Sequence, residues 1–217
     1  MADEIAAEVI IVDDDPSIRR ALNRLLGVYG LSRRIFSNAQ EFLADKKPAP
    51  AVGCVLLDVN MPGLSGLELQ AELKRRGFRL PIVFLTAHGT VPTSVQAMKL
   101  GAMDFLQKPF DSQALIAIIR KAVDRSRQQS AEAQKCRELE QRFASLTPRE
   151  QDVFRLVVKG LLNKQIAFEL GIVEKTVKVH RARVMEKMQA DSLAELVNMS
   201  ATLRLSPCNS SILSSPR

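Results

Sequence analysis

Short apolar runs alternate with amphipathic stretches through the first half of the chain. The runs at residues 9–12, 54–59, 81–87 and 104–106, with a more polar one at 32–36, have the length and composition of β-strands. Helical periodicity follows at residues 17–30, 39–44, 66–76 and 92–100, and a further helix starts near Ser112. Five strands separated by helices predict a doubly wound α/β fold with a five-stranded parallel sheet. Such sheets bind ligands at the carboxyl ends of their strands.

The stretch from Ser112 to Phe143 contains neither proline nor glycine, and its middle is polar. This pattern predicts one long helix, in which residues 126–144 form a helical linker. Leu139 and Phe143 lie four positions apart, a spacing that puts them on one face of the helix. They provide either a small dimer or docking face, or part of an exposed helix without a partner.

After residue 145 the pattern is helical throughout. Thr147, Pro148 and Glu150 form the signature of a capping box, and the helix that they begin ends at Gly160. A short helix at 163–170, a turn at Gly171 and a third helix from Glu174 predict a helix-turn-helix motif, with a fourth helix capped by Ser192. We therefore expect an all-α domain at 145–203. The Ser/Pro-rich tail at 204–217 is expected to be disordered.

The charge is uneven along the chain of 217 residues, whose formal net charge is +7. Residues 1–125 contain 16 Lys/Arg and 14 Asp/Glu, whereas residues 126–217 contain 15 and 10. The basic second part favours an acidic partner such as nucleic acid.

The composition also indicates where the protein resides. No apolar run approaches the length of a membrane span, and the acidic start MADEIAAE is unlike a signal peptide. We expect a cytoplasmic protein without a membrane partner. Its three widely spaced cysteines, Cys54, Cys136 and Cys208, are then free thiols.

Polar side chains follow four of the predicted strands at their carboxyl ends. Asp13, Asp14 and Asp15 follow the first strand, Asp58 the third, Thr86 the fourth and Lys108 the fifth. A parallel sheet brings these positions into one crevice. Clustered carboxylates suit Mg²⁺, and a metal, an ammonium and a hydroxyl beside a carboxylate suit phosphoryl transfer to it.

Each of these residues alone has an ordinary structural explanation. Taken alone, Thr86 would reflect the β-propensity of threonine, and Lys108 would be a solvated surface lysine. Phe105, in the fifth strand, would be a core aromatic. In the same way, Asp58 alone would be a turn or cap residue, and Asp15 alone would be a helix N-cap before Pro16. Only their convergence favours a functional site.

The stretches VDDDP, LLDVNMPGLSG, FLTAHG and DFLQKPF, in this order and spacing, resemble the receiver domain of two-component response regulators over about residues 7–125. The resemblance implies that a histidine kinase phosphorylates Asp58. It also implies that Asp13, Asp14 and Asp58, together with the backbone carbonyl of Asn60, bind Mg²⁺ or Mn²⁺.

The same resemblance assigns the remaining motif residues. Thr86 and Phe105 correspond to the hydroxyl and aromatic residues of the switch, Lys108 to the lysine of the site, and Pro109 to a cis Lys-Pro bond. His88, just beyond Thr86, is either an exposed loop residue or one that tunes the lifetime of the phosphate. If the resemblance holds, we expect the domain to have no enzymatic activity apart from slow self-dephosphorylation.

The third helix of the second domain is basic on one face. It carries Lys175, Lys178, Arg181, Arg183 and Lys187 against only two acids, while Val177 and Val184 point inward. A basic amphipathic helix after a glycine turn suits the major groove of DNA, although a solvated surface helix has the same charge pattern.

The stretches LTPREQDV, NKQIAFELGI and EKTVKVHRARVMEKM resemble the DNA-binding domain of the LuxR/NarL/FixJ class over about residues 145–200. The match implies that Lys178 and Val179 face base edges. It places the following residues at or near phosphates: Asn163, Lys164, Lys175, Thr176, His180 and Arg181. Ala182 stands where some relatives carry a polar base-reading residue, and the fourth helix is a dimer surface or ordinary core.

These resemblances predict a transcription factor that is controlled by phosphorylation. Phosphorylated Asp58 would reshape a face containing Met98, Lys99 and Asp104, and a homodimer formed there would bind double-stranded promoter DNA. Two alternatives remain at this point. One is a phosphatase with an aspartyl-phosphate intermediate, which needs a second acid where this chain has Asn60. The other is an adaptor whose helices never touch DNA.

Overall fold

The structure is a computed structural model that describes residues 7–87, 95 and 97–205, with the side chains of residues 204 and 205 excepted. The chain divides into two compact units, Met1–Ala131 and Glu132–Arg217.

The first unit is built on a five-stranded parallel sheet. Its strands are β1 (Glu8–Val12), β2 (Ser32–Phe36), β3 (Gly53–Asp58), β4 (Ile82–Thr86) and β5 (Asp104–Gln107). They lie in the order β2-β1-β3-β4-β5, and each neighbouring pair is parallel. The strand order therefore reverses between β1 and β3, the place where a doubly wound sheet binds ligands. The predicted fold class is confirmed, and each strand boundary lies within one residue of its prediction.

Two hydrophobic cores cover the two faces of this sheet. Along β1, Ile10 and Val12 point to one face, whereas Val9 and Ile11 point to the other. The four side chains have no solvent exposure, as expected for a parallel strand that is covered on both sides. The first core also contains residues of the helices that follow β2 and β3, and the second contains residues of the helices that follow β1 and β5.

Three helices of this unit are completely described: α1 (Pro16–Val28), α2 (Ala39–Ala44) and α3 (Gly66–Arg75). The helix predicted at 17–30 ends at Val28, because Gly30 adopts a φ of 66° that is incompatible with a right-handed helix. Within the stretch predicted as a helix at 92–100, residues 95 and 97–99 are helical and Leu100 is in a turn. Residues 92–94 and 96 lie outside the described part.

A single helix, α4 (Ser112–Ala144), has 33 residues and belongs to both units. Its first part packs on the sheet through Leu115 and Ile119, which are fully buried. Near its end, Leu139 and Phe143 are buried in the core of the second unit, and the Phe143 ring lies 5.1 Å from that of Phe154. These two side chains therefore complete a hydrophobic core within the chain. From their spacing alone, this role could not be distinguished from a dimer surface.

The second unit contains four more helices, α5 (Pro148–Val158), α6 (Asn163–Leu170), α7 (Glu174–Met188) and α8 (Leu193–Leu205). The capping box of α5 is formed as predicted: the Thr147 hydroxyl accepts a hydrogen bond from the Glu150 amide, and the Glu150 carboxylate accepts one from the Thr147 amide. Gly171 ends α6 with a φ of 63°. Helix α8 runs two residues into the stretch predicted as tail, and residues 206–217 lie outside the described part.

Two further expectations concern the cysteines and the membrane. Cys54 and Cys136 are free thiols, as predicted, whereas Cys208 lies outside the described residues. Within the described part of the chain, every helix is too short or too polar to cross a bilayer.

Candidate functional site

Three aspartates meet where the strand order reverses. Asp13 and Asp14 directly follow β1, and Asp58 is the last residue of the neighbouring β3. One carboxylate oxygen from each lies within 4.8 Å of the others. Asp13 is fully buried and Asp58 is 5% exposed, whereas Asp14 faces solvent. The cluster therefore has two inner carboxylates and one at the surface.

Lys108 supplies the positive charge in this cluster. Its Nζ lies 2.7 Å from a carboxylate oxygen of Asp13 and 3.3 Å from one of Asp58. The side chain reaches the site from the segment after β5, and the following Lys108–Pro109 peptide bond is cis, as predicted. Burial lowers the pKa of Lys108, but the hydrogen bond and charge of Asp13, with those of Asp58, raise it more. The ammonium is therefore firmly protonated.

The pKa of Asp58 is raised from its ordinary value of 3.8 to about 6. Burial is the largest cause, because it removes water from around the charged form. Lys108 acts in the opposite direction, and the nearby charges of Asp13 and Asp14 raise the value again. The site thus holds more negative charge than one lysine neutralises.

The beginning of α3 packs closely against the backbone of Asp58 and Val59. The Gly66 amide donates a hydrogen bond of 2.9 Å to the carbonyl oxygen of Val59. A Cβ atom on Gly66 would lie 2.1 Å from the carbonyl oxygen of Asp58, a distance that no side chain tolerates. The LSG sequence after β3 therefore allows the helix to pack directly against the strand end.

Thr86 and Phe105 lie on the two strands beyond β3. Thr86 is fully buried at the end of β4, and its carbonyl oxygen accepts a 2.7 Å hydrogen bond from the Lys108 amide. Phe105 on β5 is half-buried, and its ring centre lies 6.4 Å from that of Phe84. The backbone bond couples the ends of β4 and β5 next to the lysine.

The structure also shows the positions of Asn60 and Asp15, two further residues of this region that were singled out from the sequence. Asn60 is exposed just after β3. Asp15 caps α1 by accepting a 2.7 Å hydrogen bond from the Ser17 amide, which is the structural role expected of it. His88 lies outside the described residues. Arg19 was not singled out from the sequence, yet its guanidinium donates a 2.7 Å hydrogen bond to the Asp13 carbonyl oxygen. Its i+6 spacing from Asp13 carries no signal of this contact.

The residues predicted to bind DNA lie on α6 and α7 with different exposures. Lys164, Lys175 and Lys178 are exposed, and so is Val179 with 47% of its surface accessible. The Lys178 ammonium forms an exposed ion pair of 3.3 Å with Glu174, one turn earlier. Thr176 is half-buried in the first turn of α7. The exposed members leave a basic face available on α7, while Val177 and Val184 are fully buried on the other side.

Three of the predicted phosphate contacts have restricted side chains. The Arg181 guanidinium donates a 3.2 Å hydrogen bond to the side-chain oxygen of Asn163, which ties α7 to the first turn of α6. His180 is half-buried, and its Nδ1 is buried without a hydrogen-bond partner within the described residues. The Asn163–Arg181 contact thus orients the two helices of the motif relative to each other.

Lys187 does not belong to the exposed basic face with which it was grouped from the sequence. Its Nζ lies 2.6 Å from the carboxylate of Glu150, which is 1% exposed. The same carboxylate accepts the hydrogen bond that caps α5. The pair therefore joins the start of α5 to the last turn of α7. The two residues are 37 positions apart, so no local pattern indicates it.

Removal of the Lys187 charge should destabilise the second unit. In Lys187→Met the buried Glu150 carboxylate loses its partner, and we expect a loss of about 1–3 kcal/mol at neutral pH, since Lys187 is partly exposed. The pKa of Glu150 is lowered mainly by its hydrogen bond with Lys187. Its contribution to stability is therefore present above the ordinary value of 4.5 and is lost as the pH falls through the folded-state pKa.

Urea denaturation followed by circular dichroism measures this loss, and hydrogen exchange of α5 and α7 locates it. The matched control is Lys178→Met on the same helix, which breaks only the exposed pair with Glu174 and should cost less than about 0.5 kcal/mol. Equal stability of the two variants would contradict a structural role for the Glu150–Lys187 pair.

Comparison with known protein families accounts for both units. Residues 9–120 match the family described as the response regulator receiver domain. Residues 144–200 match the family described as bacterial regulatory proteins of the luxR family. The first match contains the aspartate cluster and Lys108, and the second contains α6 and α7.

Several relatives match this chain over nearly its whole length. Nodulation protein W of Bradyrhizobium diazoefficiens is 46% identical over 200 residues, covering 92% of this chain and 88% of the relative. The transcriptional regulatory protein FixJ of Azorhizobium caulinodans is 45% identical over 201 residues, covering 93% of this chain and 95% of the relative.

Solved structures of similar proteins agree with the fold. The response regulator StyR matches with a TM-score of 0.81 at 46% identity, covering 90% of this chain and 98% of that one. Full-length FixJ from B. japonicum matches with a TM-score of 0.56 at 42% identity, covering 90% and 96%. The chain therefore belongs to the two-component response regulators of the FixJ/NarL type, transcriptional regulators that combine a receiver domain with a LuxR-type helix-turn-helix domain.

Proposed function

We propose that a sensor histidine kinase phosphorylates this protein on Asp58 and that the phosphorylated protein binds promoter DNA through α7. The observation that carries the proposal is the ion pair of Lys108 with both Asp13 and Asp58, at the carboxyl ends of β1 and β3. Three charged side chains from two other segments, Asp13 and Asp14 after β1 and Lys108 after β5, surround the carboxylate of Asp58, which is to receive the phosphoryl group.

Mg²⁺ or Mn²⁺ fits the donor set of this site. Hard divalent cations prefer carboxylate and carbonyl oxygens, and three carboxylate oxygens lie within 4.8 Å of one another. Asp13, Asp14 and Asp58 would hold the ion, with the backbone carbonyl of Asn60 as a further ligand. When bound, the ion neutralises negative charge on the transferring phosphoryl oxygens.

The side chains of the chain itself perform the rest of the transfer. A carboxylate oxygen of Asp58 attacks phosphorus, and the bond from phosphorus to the kinase histidine breaks, so that the histidine keeps the electron pair. Lys108 neutralises charge on the phosphoryl oxygens from the β5 side. Thr86 would donate its hydroxyl hydrogen to one of them.

Metal binding should weaken as Asp58 becomes protonated. Because the pKa of Asp58 is raised to about 6, its carboxylate is charged at neutral pH and neutral in mild acid. We expect the affinity for Mg²⁺ to be constant above about pH 7 and to fall up to tenfold per pH unit below about pH 6. Isothermal titration calorimetry with the full-length protein measures this profile.

Asp58→Asn is the control for that profile, because it removes the titrating group. Its Mg²⁺ affinity should be lower at every pH and should lose the inflection near about pH 6. An inflection that persists in the variant would assign the titration to another group.

Phosphorylation would act on DNA binding through a change of shape. The new phosphoryl oxygens draw Thr86 inward, and Phe105 on the half-buried β5 follows into the space that it leaves. The neighbouring face contains Met98 and Lys99, both exposed, and the half-buried Asp104. Dimerisation through this face would present two copies of α7 to a palindromic DNA site.

The phosphorylated residue can be identified chemically. The full-length protein is incubated with Mg²⁺ and acetyl phosphate, reduced with borohydride and digested, which converts an aspartyl phosphate to homoserine. We expect the converted residue at position 58 alone. Conversion at position 13 or 14 instead would overturn the assignment.

The two alternative functions make different predictions. A phosphatase would hydrolyse an added phosphomonoester with turnover, whereas we expect only slow loss of phosphate from Asp58 itself. An adaptor would not bind DNA, although α7 has an exposed basic face. We also place the protein in the cytoplasm, where both promoter DNA and the kinase's phosphoryl-donating domain are accessible.

A further inference from the structure

A second concave site lies at the opposite edge of the sheet from Asp58. It is a cavity of about 220 Å³ beside Pro81 and Ile82, at the amino end of β4. Helix α3, the segment that precedes β5 and helix α4 form its other walls. The lining residues that the structure describes all belong to the first unit. The aspartate cluster contributes none of them, so this cavity has no part in the phosphorylation chemistry.

The floor of the cavity is apolar. Leu73 of α3 and Ile82 of β4 contribute buried side chains, and the half-buried Phe78 and Met103 extend the same surface. A floor of this kind favours a ligand with a hydrophobic body. The volume is below the usual range for drug-sized ligands, which limits the ligand to a small molecule of one or two rings or a short chain.

The rim of the cavity is cationic. Lys74, Arg79 and Arg125 line it, and all three are exposed. Within the described part of the chain, none of them has an ion-pair partner and no acidic residue lines the cavity. Three cations around one cavity without a counter-charge favour an anionic group at the mouth of the site.

One buried polar side chain in this wall is incompletely paired. Gln70 of α3 lines the cavity and is only 3% exposed. Its Nε2 donates a 3.4 Å hydrogen bond to the Ala97 carbonyl oxygen, whereas its Oε1 is buried without a partner among the described residues. Buried acceptors are normally satisfied. This oxygen has almost no accessible surface, so a ligand donor reaches it only when the Gln70 side chain turns toward the cavity, which gives up the long 3.4 Å hydrogen bond.

We propose that this cavity binds a small organic anion that has an apolar body and one hydrogen-bond donor. The body rests on the floor that contains Leu73 and Ile82, and the anionic group lies beside Arg79, Arg125 and Lys74. The donor bonds Oε1 of Gln70 once that side chain has turned toward the cavity. Such a ligand contacts α3, the segment that precedes β5, and α4. It therefore joins three elements that surround the amino end of β4.

Three probes of similar size separate these features. Indole-3-acetate has a carboxylate and a ring N–H donor, 1-naphthaleneacetate has the carboxylate without the donor, and tryptamine replaces the anion with a cation. Each is titrated into the ¹⁵N-labelled full-length protein, and the amide signals of Gly101 and Met103 report on the cavity wall. We expect saturable binding of both acids, with indole-3-acetate several-fold tighter, and no binding of tryptamine.

Variants assign the contacts. Arg125→Ala and Arg79→Ala should each weaken both acids about two- to fivefold, whereas Arg127→Ala, two residues farther along α4 and outside the cavity, should change neither. Gln70→Met should remove the preference for indole-3-acetate while 1-naphthaleneacetate still binds. If α3 does not tolerate Gln70→Met, the arginine variants still test the site.

The proposal is overturned by any of three results: no saturable shift of Gly101 and Met103 with either acid, equal binding of tryptamine, or affinities that Arg125→Ala and Arg79→Ala leave unchanged. A preference for indole-3-acetate that survives in Gln70→Met would remove Gln70 from the site.

Discussion

Asp58→Asn is expected to abolish phosphate incorporation and, with it, the increase in DNA affinity that phosphorylation produces. Asparagine has nearly the same shape but no nucleophilic carboxylate, so the acyl phosphate cannot form. With acetyl phosphate and Mg²⁺ present, the wild-type protein should bind its duplex at least about tenfold more tightly, a typical size for coupling between two sites, whereas the variant should show no change. Radiolabelled phosphate incorporation and fluorescence anisotropy with a duplex obtained by in-vitro selection measure the two effects.

Unfolding should not explain this loss. Asp58 has a raised pKa, so its charge destabilises the folded state at neutral pH, and the neutral asparagine relieves that cost. We expect Asp58→Asn to melt at the same temperature as the wild-type protein or higher. A variant that folds, incorporates no phosphate and still gains DNA affinity on treatment with acetyl phosphate would disconnect Asp58 from the control of DNA binding.

Lys178→Glu is expected to reduce DNA affinity about a hundredfold. The side chain is exposed on α7, and in the proposed complex it faces base edges. The substitution removes an attractive contact worth about 1–3 kcal/mol and adds a negative charge next to the phosphates. It also places a glutamate one turn after Glu174, which adds repulsion in the free protein. Anisotropy titrations at two salt concentrations separate the charge effect from the base contact.

Lys135→Glu is the matched control for this reversal. Lys135 is exposed on α4, belongs to the same unit and makes the same charge change outside the helix-turn-helix motif. The DNA affinity of Lys135→Glu should stay within about threefold of the wild-type value, because this charge acts on the DNA only through screened long-range electrostatics. Equal losses in the two variants would mean that net charge, not α7, governs binding, and unchanged binding in Lys178→Glu would favour an adaptor.

The sequence predicted the fold well because its signals are local. Alternation of apolar runs and amphipathic helices defined every strand to within one residue, and a Thr147–Glu150 capping box and Gly171 set the limits of α5 and α6. The carboxyl ends of parallel strands always share an edge. For that reason the meeting of Asp13, Asp58 and Lys108 could also be predicted before any contact was known.

Contacts between distant segments could not be predicted in this way. The periodicity of α4 shows that Leu139 and Phe143 share a face, but not that the core of the second unit covers them. Charge patterning assigned Lys187 to a basic surface, whereas a carboxylate 37 residues earlier binds it. In both cases the partner is determined by how the helices pack, which no short stretch of sequence encodes.

The most direct test of the account is a binding isotherm of the full-length protein with its selected duplex, recorded before and after phosphorylation, with the occupancy of Asp58 verified by mass spectrometry. We expect phosphorylation of Asp58 to shift the isotherm to at least about tenfold lower protein concentration and to convert the free protein from monomer to dimer. Superimposable isotherms and an unchanged monomer at full occupancy of Asp58 would contradict it.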